Sequence, residues 1–181
     1  MGARLFACVL ACGLAAQAPA LAQPQQGELV ERTLAVVGGQ AITLSDARAA
    51  IALGLVDAAA ATDPVALGTG LLVDRELMLR EVQRYAPPEP DDEAIAAGLA
   101  EVQRRHAAPG ALERVYDRTG FTDTRLRAWV RDDLRVQAYL AQRFAAAGAP
   151  TDPEAPARRR ELIADWVADL RRRTTVVILP Q

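Results

Sequence analysis

Thr174-Thr175-Val176-Val177-Ile178-Leu179, halted by Pro180, is the run that decides the fold. It is the most β-branched stretch of the chain, and such side chains favour the pleated, half-buried surface of a sheet. A lone strand leaves its backbone N–H and C=O groups without partners. The comparable run is Thr33-Leu34-Ala35-Val36-Val37, near the other end of the sequence. The two ends are therefore expected to pair. Gly38-Gly39 follows the first run as a turn, and Gln40-Ala41-Ile42 is expected to continue as a second short strand.

Between these ends the periodicity is helical. Thr43-Leu44-Ser45-Asp46 starts a first helix, with Thr43 or Ser45 as N-cap and Asp46 near the positive helix end. It carries Ala49, Ile51, Leu53, Leu55 and Val56 and fades before Pro64. Asp63 caps and Pro64 opens a second helix, in which Leu67, Leu71, Met78, Val82 and Tyr85 fall on one face, widened by Leu72 and Leu79. Pro87-Pro88-Glu89-Pro90 stops it. Asp91-Asp92-Glu93 opens a third helix that runs through Ile95, Leu99 and Val102 to His106, before Pro109-Gly110. A short helix bearing Leu112, Val115 and Tyr116 ends at Gly120. Thr122 or Asp123 then caps a long one bearing Leu126, Trp129, Val136, Leu140 and Phe144. The prolines of Gly148 to Pro156, within a linker over residues 147–156, exclude regular structure there. A last helix from Ala157 to Arg173 carries Leu162, Ile163, Trp166, Val167 and Leu170. The expected fold is mainly α: about six helices, with a small β-sheet pairing the N- and C-terminal strands, in one domain over residues 23–181.

Residues 1–22 read as a secretory signal peptide. Arg4 supplies the positive start, Leu5 to Ala16 the apolar stretch, and Ala20-Leu21-Ala22 an A-x-A cleavage site before Gln23. The rival reading, a lipoprotein signal with Cys12 as the lipidated residue, leaves that cleavage site unexplained. Cleavage after Ala22 removes Cys8 and Cys12, the two cysteines of the chain, and so suits an oxidising compartment. Nothing later in the sequence approaches the ~20 apolar residues of a membrane span. Export is expected, without stable membrane insertion.

Composition narrows the chemistry. The chain of 181 residues has a formal net charge of −2, and every one of its 21 basic side chains is arginine. Together with the alanine runs, that points to coding bias rather than an arginine patch, and a slightly acidic balance argues against a nucleic-acid partner. His106, the single histidine, has no assignable Ser, Cys or Asp partner for general-base work. The acids Glu89, Asp91, Asp92 and Glu93 fit no calcium-loop spacing, and a helix N-terminus accounts for them. Gly38-Gly39 is followed by no phosphate-loop pattern. No metal, no cofactor and no catalytic residue is expected. Arg158-Arg159-Arg160 and Arg171-Arg172-Arg173 read as solvated faces.

The order of parts resembles the SurA-like periplasmic chaperones. Leu34 to Asp46 resembles the strand, turn and capped helix with which that family begins, and Leu71-Leu72-Val73-Asp74-Arg75-Glu76-Leu77-Met78 resembles a segment of its second helix. Gly120-Phe121-Thr122 through Arg127, with Val130 and Leu134, resembles a later helical stretch, and Trp166 to Leu179 resembles the family's closing helix and strand. The family's parvulin-type isomerase domains are missing, since their place holds only the Gly148 to Pro156 linker. The resemblance therefore implies the holdase half alone: binding unfolded outer-membrane or periplasmic proteins in transit, without ATP and without isomerase activity. The periplasm is the compartment it implies.

Aromatic and Met side chains suit such binding, because they offer adaptable contact area with few specific bonds. The candidate peptide-binding residues are Met78, Tyr85, Trp129, Tyr139, Phe144, Val176 and Ile178, while Trp166 reads as a core anchor. A free edge at Val176 to Leu179 would accept an extended segment by strand addition. The alternative is an envelope accessory protein docking one fixed partner; a peptidyl-prolyl isomerase is the less favoured second, since the missing isomerase domain predicts no rate above background. No oligomeric state is specified.

Overall fold

A computed structural model describes residues 31–148 and 152–180. The expected signal peptide, its lipoprotein alternative at Cys12, the polar lead to Val30 and linker residues 149–151 lie outside the described residues.

The two ends of the chain pair. Strands β1 (Thr33–Val37), β2 (Gln40–Thr43) and β3 (Val176–Ile178) form an antiparallel sheet in the order β2-β1-β3. β1 therefore receives both neighbours, with Val36 opposite Val177 on one side and Ala41 on the other. Gly38 and Gly39 close the β1–β2 hairpin at φ 54° and 95°. A two-residue hairpin turn that matches strand twist needs φ > 0 at both positions, which is why two glycines sit there.

Six helices occupy the rest: α1 (Leu44–Ala52), α2 (Pro64–Tyr85), α3 (Asp92–Arg105), α4 (Ala111–Thr119), α5 (Asp123–Arg143) and α6 (Ala155–Arg173). The cap of α1 is Thr43, whose hydroxyl accepts from the Asp46 N–H at 3.3 Å while Asp46 Oδ2 accepts from the Thr43 N–H at 3.0 Å. This reciprocal box satisfies two donors that a helix start leaves open. Ser45, the alternative cap, is inside α1, and its hydroxyl donates instead to Glu31 at 2.6 Å. Asp63, Asp91 and Thr122 cap α2, α3 and α5 by the side-chain half of that arrangement alone, accepting from the N–H of Ala66, Ala94 and Arg125. α6 begins two residues earlier than expected, so Ala155 and Pro156 are helical. A proline in the first turn sacrifices no intrahelical bond, because that N–H has no partner there in any case.

Two apolar clusters hold these elements together. The larger joins the sheet (Leu34, Ala35, Val37) to α2 (Leu72, Val73, Leu77, Val82), the C-terminal half of α5 (Val136, Tyr139) and α6 (Trp166, Val167, Leu170). The smaller gathers α1 (Ala49, Leu53), α3 (Ile95, Val102), Val115 of α4, Phe121 and the N-terminal half of α5 (Leu126, Val130). The expected apolar face of α2 is buried in part, at Leu72, Leu79 and Val82, but the buried surface does not follow it throughout. Leu67 and Tyr85 are exposed, whereas Val73 and Leu77, off that face, are fully buried. α2 packs at once against α1, α5, α6 and β1, so its middle is covered on several sides. On α6, Leu162 is likewise exposed, outside the buried stripe of Trp166, Val167 and Leu170.

Candidate functional site

The end of α2, the end of α5 and the middle of α6 bring aromatic rings into one continuous row. Tyr85 stacks on Tyr139 with centroids 5.5 Å apart, Tyr139 tilts against Trp166 at 5.8 Å, and Trp166 meets Phe144 edge-on at 5.9 Å. These are the offset and edge-to-face arrangements that ring quadrupoles favour. Helix geometry places the contributors: Tyr139 and Arg143 are four residues apart on α5, Ile163 and Trp166 three apart on α6, and each pair shares a face.

Exposure grades along the row. Tyr85 is 59% exposed and Phe144 half-buried, while Tyr139 and Trp166 retain 7% each. The two ends therefore meet solvent, and the middle is part of the core. Tyr139, although largely buried, lines the groove beside Tyr85, its ring forming the wall behind that residue. Its hydroxyl sits 3.4 Å from Arg143 Nη1, which donates to it, and burial raises its pKa against a partial offset from that guanidinium. The hydroxyl is thus neutral at physiological pH. Arg143 also lies over Trp166, 5.3 Å from the ring centroid, and over Phe144 at 5.6 Å. A cation over two ring faces is electrostatically favoured and keeps a charge beside an otherwise apolar surface.

Grooves open at both ends of the row. One of about 480 Å³ is lined by Phe144, Ala145, Pro156 and Ile163, with Arg159 and Arg160 at its rim. The other, about 430 Å³, is lined by Tyr85, Pro87, Tyr139, Gln142 and Arg143. Both are of the size that accommodates side chains or small ligands.

The remaining expected residues are placed elsewhere. Met78 is half-buried against the larger cluster. Trp129 lies ten residues before Tyr139, about 15 Å along α5, at the junction of the two clusters. The Arg75 guanidinium covers its ring at 3.7 Å and donates to its carbonyl at 3.2 Å. Trp129 is half-buried, with one ring face covered by that cation, and it lines a separate groove of about 270 Å³ with Leu55, Gly98 and Val130. Val176 is half-buried and Ile178 is 55% exposed on the sheet edge. The structure unites Tyr85, Tyr139 and Phe144, then, and adds Trp166, Arg143 and Ile163 to them. The i, i+4 spacing of Tyr139 and Arg143 was the available sequence signal for the arginine; nothing in the sequence brings α6 to α5.

His106 caps the C-terminus of α3 and is half-buried. In the acidic cluster, Asp91 accepts from the Ala94 N–H, Asp92 pairs with Arg127 at 2.6 Å and Glu89 with Arg135 at 3.3 Å. Those carboxylates are engaged by the helix start and by arginines of α5. Among the described residues, no three His, Cys, Asp or Glu side chains converge on a metal-sized site, and no helix is long and apolar enough to cross a membrane. No protein-family model matches the chain, and comparison with curated proteins finds no significant relative.

Proposed function

We propose that this chain is a periplasmic, ATP-independent chaperone that holds unfolded exported proteins, outer-membrane β-barrel proteins foremost, in the manner of SurA-like chaperones that lack isomerase domains. The observation that carries the reading is the aromatic row, solvent-facing at Tyr85 and Phe144 and flanked by grooves. Rings and a guanidinium give broad, shallow adhesion: much contact area, few directional bonds and hence little sequence preference. The buried middle of the row fixes the position of its ends, so binding demands no ordering of the chaperone itself. The closure of a helical body by its first and last strands supports the same reading. Affinity is weak to moderate and clients are released without nucleotide. Proline isomerisation is not part of the activity.

The test is light scattering of an outer-membrane β-barrel protein diluted from urea, with and without the chain. Suppressed aggregation with no nucleotide present is the expected result. Unchanged scattering at several-fold excess would overturn the reading, and a stoichiometric partner recovered by pull-down would replace it with the docking of one fixed protein.

A further inference from the structure

We infer that the outer edge of β3 takes up an extended apolar polypeptide segment as a fourth strand of the sheet. This rests on the carrier reading above and specifies how one stretch of the client is gripped.

The hydrogen-bond register shows which backbone groups are available. The Gly38 N–H donates to the Thr175 carbonyl at 2.9 Å, and the Leu179 N–H donates to the Leu34 carbonyl at 2.9 Å. With Val36 opposite Val177, residues 175, 177 and 179 are the ones whose polar groups face β1. Bonding direction alternates along an antiparallel strand, so the N–H and C=O of Val176 and Ile178 point away from β1. The sheet order β2-β1-β3 places no described strand on that side. Two residues thus present donors and acceptors in register for an added strand.

The side chains point to the same occupant. Val177, Ile178 and Leu179 are consecutive exposed large apolar residues, whereas Leu67, Tyr85 and Leu162 are exposed singly. Pleating puts Val176 and Ile178 on the face of Ala35 and Val37, which are wholly buried, and Val177 on the opposite face. Each face of the edge is therefore apolar, and a segment bearing β-branched or apolar side chains continues both. Edges left this way usually carry a charge as protection; here no charged residue falls between Thr174 and Pro180. A second copy of this chain is the less suitable occupant. β3 is three residues long, about 10 Å of strand, and an edge that short buries on its own far less than the ~1,000 Å² that a stable interface requires. An extended client needs no such area, since its main chain supplies the bonds and its release has to be easy.

The experiment follows amide exchange at residues 176–178 of the full chain by NMR, with and without an end-capped nonapeptide of alternating Thr and Val. Exchange at Val176 and Ile178 is expected to slow at least tenfold, with Val177, already bonded to β1, little changed. Ile178→Pro deletes one outward donor while keeping the Val177–Val36 pair, and should weaken peptide binding several-fold; Ile178→Thr keeps the donor and should retain most of it. Unchanged exchange at both residues under saturating peptide overturns the proposal. So does slowing that appears with protein concentration in the absence of peptide, which would assign the edge to a second copy. Full aggregation suppression by the chain without slowing at the edge overturns the strand site while leaving the carrier reading intact. Slowing without suppression establishes the strand site and rejects the holdase.

Discussion

Glu76 lies midway along α2, half-buried, where burial raises its carboxyl pKa and the nearby Arg80 and Arg75 guanidiniums only partly counter the effect. Raised in the folded state, the pKa makes the native protein hold its proton longer than the unfolded chain does. The associated stability is fully present below the ordinary Glu value and is lost as pH rises through the folded value. Glu76→Gln removes the titration. Its unfolding midpoint at pH 7 should exceed that of the parent, and the difference should vanish on acidification below about pH 4. A lower midpoint at pH 7 would mean that the arginines outweigh the burial. Arg75, by contrast, is held by the Trp129 ring and carbonyl, and its Nε has no partner among the described residues. Its burial is tolerated because the ring face replaces part of the lost hydration.

Helix contacts set the second scale. A Cβ at Gly98 of α3 would stand 2.5 Å from Val130 Cγ1 of α5, inside the smaller cluster, while a Cβ at Gly70 of α2 would meet nothing within 4 Å. Both positions are helical, so alanine brings the same intrinsic gain of about 0.5–1 kcal/mol. At Gly98, crowding against a β-branched side chain costs about 1–3 kcal/mol and reverses the sign. Denaturant unfolding should show Gly70→Ala stabilised and Gly98→Ala destabilised, and equal signs would refute this packing. What was legible in the sequence follows the same division. Caps, the Gly38-Gly39 turn and the pairing of the end strands were readable because each depends on a few neighbouring residues or on a single unpartnered run. The face of α2 was legible only in part, at Leu72, Leu79 and Val82, since a central helix is buried wherever neighbours happen to lie, and its periodicity alone does not rank Val73 above Leu67. Likewise Tyr85, Trp129, Tyr139 and Phe144 were readable as candidates, whereas the joining of three of them through Trp166, with Trp129 set apart under Arg75, depends on how α6 and α2 pack on α5.

At the scale of the whole molecule, α5 serves both clusters, with Leu126 and Val130 in one and Val136 and Tyr139 in the other. The aromatic row sits at the end of this shared helix, where α6 returns the chain to the sheet. Its rigid centre and open ends are what the proposed holding of unfolded proteins requires, and it makes a spatial prediction. Tyr85 and Leu67 are both exposed on α2, at 59% and 43%, but stand eighteen residues, about 27 Å, apart along the helix. Only Tyr85 belongs to the row. A photo-crosslinking residue placed at each position in turn, and challenged with a urea-diluted outer-membrane β-barrel protein, measures where the client rests. Client adducts should form at position 85 with at least tenfold the yield at position 67; comparable yields at the two, or none at position 85, would contradict the aromatic row as the holding surface.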